Sequence, residues 1–138
     1  TAPFPIASYQ ENQLILAEAK AKTGNDAGAL TNLNNFRADL VAHYSATAAD
    51  FPASTASGAT LLNQILEEKY IALVGELVNF HDLRRTRNLI GVPNKTTGSK
   101  GASDFPQKFL YPQSELDTNA ENVPRDEFFT PTALFTSY

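Results

Sequence analysis

The chain is expected to be all-α: a tetratricopeptide-like helical hairpin, further helices after it, and an irregular C-terminal tail rich in proline and aromatic residues. Three observations lead there. Apolar residues recur at helical spacing from Ser8 to Tyr44 and again from Ala59 to Asn88. Caps and stops punctuate both stretches. From Phe105 onward the period is lost, and Pro106, Pro112, Pro124 and Pro131 forbid a long helix.

Residues 1–7 form an extended lead-in, because Pro3 and Pro5 both bias against helix. Ser8-Tyr9-Gln10-Glu11 is a capping box in which hydroxyl and carboxylate each take an orphan amide. The helix it opens runs to about Thr23, and Gly24 is its left-handed stop. Its apolar residues fall on two sides, Tyr9, Ile15, Leu16 and Ala19 on one, Leu14, Ala17 and Ala21 on the other. Neighbours on both flanks would require that pattern. Asn25 or Asp26 caps a second helix, roughly Ala27–Tyr44, with Leu30, Leu33, Phe36, Leu40 and Val41 in period and Arg37 at the margin. So short a link makes the two helices antiparallel neighbours, and Ala17, Ala19, Ala21 and Ala29 permit close approach. Arrays of such hairpins need about three repeats to bury a continuous core. The hairpin is therefore expected to lean on structure preceding Thr1.

Residues 45–58, SATAADFPASTASG, are small and polar and are expected to form a loop outside the core. A third helix begins near Ala59. Leu62, Ile65, Leu66, Tyr70, Leu73, Leu77, Phe80 and Leu83 then share an arc of roughly 140°, and Ile71, Val74 and Val78 make a second stripe. Gly75 ends or bends this helix, since glycine costs ~1 kcal/mol against alanine in a helix interior. A short helix resumes over Val78–Thr86. Val92–Ser103 is a flexible surface loop by composition. In the tail, Phe105, Phe109, Tyr111, Phe128, Phe129, Phe135 and Tyr138 argue for anchoring to a surface. The organisation is thus one unit, with a hairpin over 1–44, a loop over 45–58, helices over 59–88, and a loop with a docked tail over 89–138.

Composition narrows the function. A chain of 138 residues is one domain's worth at most, and its 42% hydrophobic content suits a folded protein. Fifteen acidic against eleven basic residues give a net charge of −4, which disfavours nucleic acid and anionic lipid as partners. Without cysteine there are no disulfides or thiolate-held metals. No apolar run approaches the ~20 residues that span a bilayer, and no signal peptide is visible. The chain opens on Thr1 with no methionine, inside the segment APFPIASY. A processed or proteolysed piece of a longer polypeptide would look this way, as would an expression product with its start removed.

None of the candidate chemical groups makes a catalytic signature. Glu67 and Glu68 are adjacent, so a helix sends them about 100° apart, whereas glycosidase carboxylates converge ~5–9 Å apart across a sugar. Pairing with Arg84, Arg85 or Arg87, or solvation, suits them better. His81-Asp82 would need further ligands to hold a metal, and His43 is the one other imidazole. A hydrogen-bonded structural histidine is the simpler reading. Arg84-Arg85-Thr86-Arg87 sits at a helix C-terminus, where the dipole favours cations. Asp117-Thr118-Asn119-Ala120-Glu121-Asn122 approaches a calcium loop but lacks glycine at the sixth position, Asn122, and a carboxylate at the twelfth, Phe128. Asn94-Lys95-Thr96 matches a glycosylation sequon. Tail aromatics could stack on sugars, but rings beside prolines more often anchor packing. Catalytic, metal and cofactor sites are assigned to none of these residues.

Five pieces in order carry a family resemblance: SYQENQLILAEAKAKTGN; ALTNLNNFRADL with Leu33, Asn34 and Arg37; ILEEKYIALVGE; FHDLRRTRN; and FLYPQSELDTN. Together they resemble the C-terminal region of the SusD/RagB family, although Leu77-Val78-Asn79 stands where many members have a more polar glycine-rich turn. The resemblance implies an α-helical lipoprotein at the outer-membrane surface, anchored through a cysteine not present in this stretch. It implies a non-catalytic part of a glycan- or nutrient-binding protein that holds an oligosaccharide, or in some members a peptide, over a SusC-type TonB-dependent transporter. Ligand-binding residues are then expected mostly upstream of Thr1, and the partners are the remainder of the polypeptide, the transporter and the ligand. The alternative is a helical-repeat scaffold for protein partners.

Overall fold

A computed structural model of the protein describes residues 7–93, 105–123 and 129. Among them are five α-helices and no strand, so the all-α expectation holds. The chain divides into two compact units, Thr1–Asn79 and Phe80–Tyr138.

The first unit is built on α1 (Tyr9–Lys22), α2 (Asp26–Tyr44) and α3 (Gly58–Ala72). Ser8 caps α1 as its sequence requires, its Oγ accepting the Glu11 amide at 3.0 Å. Thr23 closes the helix, and Gly24 follows at φ +79°. Asn25 caps α2 through the Gly28 amide, also at 3.0 Å. The tight link folds α2 back along α1, and α3 packs on both. Leu14, Ala17, Ala29, Leu33, Phe36, Leu61 and Ile65 form the core where the three helices meet, with Ala21, Leu30, Leu40 and Ala56 against it. Of the two apolar sides of α1, the one carrying Leu14 and Ala17 is buried, whereas Tyr9, Ile15 and Leu16 are exposed.

Buried polar groups in this unit are joined across elements. Lys20 Nζ donates to Asn32 Oδ1 at 2.6 Å, and Asn32 Nδ2 donates to Gln13 Oε1 at 2.5 Å. Lys69 of α3 pairs with Glu18 of α1 at 3.4 Å, both buried. The loop over 45–58 departs from expectation. It is irregular, but Ser54 is buried and Ala56 packs on the core. The Ser54 amide donates to Asn34 Oδ1 at 2.7 Å, Asn34 Nδ2 returns to the Ser54 carbonyl at 3.1 Å, and Ser54 Oγ bonds Gln64 at 2.5 Å. Arg37 also holds the Pro52 carbonyl at 2.7 Å. With its polar groups satisfied this way, a small polar segment can enter the interior. At the start of α3 the Gly58 amide is taken at 2.7 Å by Asp26 from the first turn of α2, which places an anion at a helix N-terminus.

The expected long stripe on the third helix is interrupted. α3 stops at Ala72, Leu73 caps it, and Gly75 lies at φ +92° before α4 (Leu77–Arg85). The break resets the helical phase. Leu77, counted within the arc, is exposed, and Leu61, outside it, is fully buried. Ile71 and Val74 of the second stripe are also exposed. Asn79 Nδ2 closes the break by donating to the Tyr70 carbonyl at 2.8 Å.

The second unit takes α4 from Phe80 onward. Just beyond that helix come two left-handed residues, Arg87 (φ +51°) and Asn88 (φ +53°), with the Asn88 amide reaching the Leu83 carbonyl at 2.7 Å. Asn88 then clasps Val92, its Nδ2 donating to the Val92 carbonyl and its Oδ1 accepting the Val92 amide, both at 2.7 Å. Phe80 packs on Phe109 at 4.6 Å and on Phe105 at 6.1 Å between ring centroids. A short helix unforeseen in the sequence, α5 (Gln113–Thr118), starts behind Pro112. Of the expected loop over 92–103, residues 94–103 lie outside the described residues, as do Phe128, Phe135 and Tyr138 of the tail.

Candidate functional site

The charged candidates resolve into structural contacts. Glu68 pairs with Arg37, at 2.7 Å to NH2 and 2.9 Å to Nε, and not with Arg84, Arg85 or Arg87 as its sequence position suggested. The reason is rotational: position 68 turns toward the α2 margin where Arg37 sits, one α-helical step away from the exposed Glu67. The two carboxylates therefore do not converge. His81 is exposed, with Nδ1 3.5 Å from an Arg84 nitrogen and Phe109 edge-on at 6.5 Å. Among the described residues no three His, Asp or Glu side chains are grouped to hold a metal ion. Asp82 accepts from Arg85 at 2.9 Å, and Arg84 lies 5.3 Å over the Phe80 ring. The first and second arginines of the basic run thus have contacts of their own, and Thr86 is buried.

The stretch compared with a calcium loop is not one loop. Asp117 and Thr118 belong to α5, where Gln113 Nε2 donates to Asp117 at 2.8 Å, and Asn122 Nδ2 turns back to Asn119 Oδ1 at 2.7 Å. The sequon at Asn94 lies outside the described residues.

Among the described residues two aromatic pairs with an exposed ring remain, one in each unit. In the second, Phe109 stands 61% exposed against Phe80, flanked by exposed Leu110 and Tyr111. In the first, the last residue of α2, Tyr44, is 65% exposed. It stacks on Phe51 with centroids 6.4 Å apart and planes 23° apart, and His43 meets it edge-on at 4.8 Å. The loop between these two rings is tightly made. Ser45 is left-handed, and the Ala46 amide returns to the Val41 carbonyl at 3.0 Å. The Thr47 amide and hydroxyl both donate to Asp50 Oδ2, at 2.9 and 2.7 Å, and the Asp50 amide donates to the Thr47 carbonyl at 3.0 Å. Those bonds, the hydroxyl's first and the amide's second, hold the Asp50 carboxyl below its ordinary range. Sequence reasoning placed exposed rings only in the tail and passed over Tyr44 and Phe51. The available signal was an aromatic on each side of a run of small polar residues.

A protein-family model described as SusD family matches residues 1–132. No curated protein and no solved structure matches the chain.

Proposed function

The chain belongs to the SusD family, and we propose that it is a non-catalytic part of a cell-surface glycan- or nutrient-binding protein that delivers its ligand to a SusC-type TonB-dependent transporter. The family match across nearly the whole chain carries this reading. The disposition of the acidic side chains supports it: Glu68 is committed to Arg37 and Glu67 faces solvent, so the pair is not arranged to flank a glycosidic bond. The exposed, backed rings supply what capture needs, namely flat apolar surface beside polar groups.

In this reading the ligand is an oligosaccharide, or a peptide, and the protein is a lipoprotein of the outer membrane held by a lipid anchor outside this sequence. No helix among the described residues is long and apolar enough to cross a membrane. The chain forms the C-terminal part of the receptor, and the exposed apolar side of α1 is a seat for the remainder of the same polypeptide. Isolation of the tagged intact protein from outer membranes tests the delivery step. Co-purification with a TonB-dependent barrel supports it, and recovery from the cytoplasm with no such partner contradicts it.

A further inference from the structure

We propose that the exposed face of Tyr44, backed by Phe51, is a stacking subsite for one neutral pyranose unit of an oligosaccharide; this rests on the nutrient-binding reading and gives this chain a direct part in it. An exposed tyrosine at a helix end is ordinarily a mobile side chain. Here it is stacked on Phe51 and meets His43 at right angles, and it still stands 65% exposed. The loop joining the two stacked rings is closed by the Thr47–Asp50 bonds and by the returns to the end of α2. The cost of ordering the ring is thus met before a ligand arrives.

The surroundings favour a sugar over a protein. Between the rings lie only Ser45, Ala46, Thr47, Ala48, Ala49 and Asp50, a small and polar run. A stable protein interface buries about 800 Å² per partner around a desolvated centre, and one ring beside such residues offers far less. A pyranose instead presents a flat face of C–H bonds with hydroxyls at its rim. Asp50 is exposed and both Thr47 bonds go to its Oδ2, which leaves acceptor capacity on Oδ1 for such hydroxyls. A carboxylate on the loop that joins the two rings also disfavours acidic sugars, which is why the ligand is assigned as neutral.

The test is NMR of the Tyr44 ring in the intact protein, titrated at millimolar concentration with maltoheptaose, xylohexaose, cellohexaose and mannohexaose, and separately with a ten-residue polyproline peptide. Calorimetry of Tyr44→Ala and Tyr44→Phe then uses whichever sugar shifts the ring. The expected result is that at least one sugar shifts the ring, Tyr44→Ala weakens it by about tenfold, and Tyr44→Phe stays within about twofold. Because the ring is exposed, Tyr44→Ala should melt as the wild type does. A sugar that binds equally well to Tyr44→Ala overturns the subsite and leaves the nutrient-binding reading standing. Four sugars that leave the ring unshifted, or a shift with polyproline alone, also overturn it, whatever a broader glycan array reports for the protein as a whole.

Discussion

Lys69 and Glu18 show how single side chains tie the helices together. Both are buried, and they meet at 3.4 Å between α3 and α1. Such a pair gains little over an apolar pair, but removing one partner takes from the other buried charge the contact that crosses between the helices. Lys69→Met should therefore lower stability by about 3 kcal/mol, and adding Glu18→Met should recover most of the loss, both read by urea denaturation. A double variant as unstable as the single one would count against the pairing. At the surface, Asp50 gives a pH-dependent contribution. Its carboxyl is held below its ordinary value by the Thr47 hydroxyl and amide. A carboxylate depressed in the folded state stabilises at pH above its unfolded pKa, and that contribution disappears as pH falls through the folded value. An NMR titration should find the Asp50 midpoint below that of a free aspartate. Thr47→Val, which keeps the amide but removes the hydroxyl, should move it part of the way back; no movement would mean the hydroxyl bond is not made in solution.

Helix boundaries follow from local chemistry. Ser8, Asn25 and Gly24 act within a few residues of themselves, so the ends of α1 and the start of α2 are legible in the sequence. Gly75 is legible as a break, and its φ of +92° explains why glycine stands there. A Cβ at position 75 would meet no atom within 4 Å, so Gly75→Ala should cost only the backbone strain, about 1–2 kcal/mol. Urea denaturation measures it, and a neutral substitution would show that the turn relaxes. What lay beyond reach depends on distant partners. Ser54 reads as a loop residue because its burial relies on Asn34 and Gln64, and Glu68 reads as a partner for the nearby arginines because nothing local points to Arg37. Leu77 was misplaced because the stripe was counted through a break that resets its phase, whereas Leu61, one turn before Ile65 on α3, lies upstream of that break and was left outside the arc. Likewise Tyr44 and Phe51, seven residues apart, become a pair only once the Thr47–Asp50 turn folds the chain between them.

At the scale of the whole molecule, capture is the proposed reading, and the family match carries it. The chain is acidic, Glu68 of its adjacent carboxylates is committed to Arg37, and two of its aromatic surfaces face solvent. Family membership gives those surfaces a context that composition could not supply, because helical hairpins serve many unrelated functions. The most direct measurement is calorimetry of the intact protein against the oligosaccharides that a glycan array selects, with chromatography of the recovered sugar. Saturable binding with every oligosaccharide recovered at its original length is the predicted result. Steady conversion to shorter sugars, or a folded protein that takes up neither glycan nor peptide, would contradict the account.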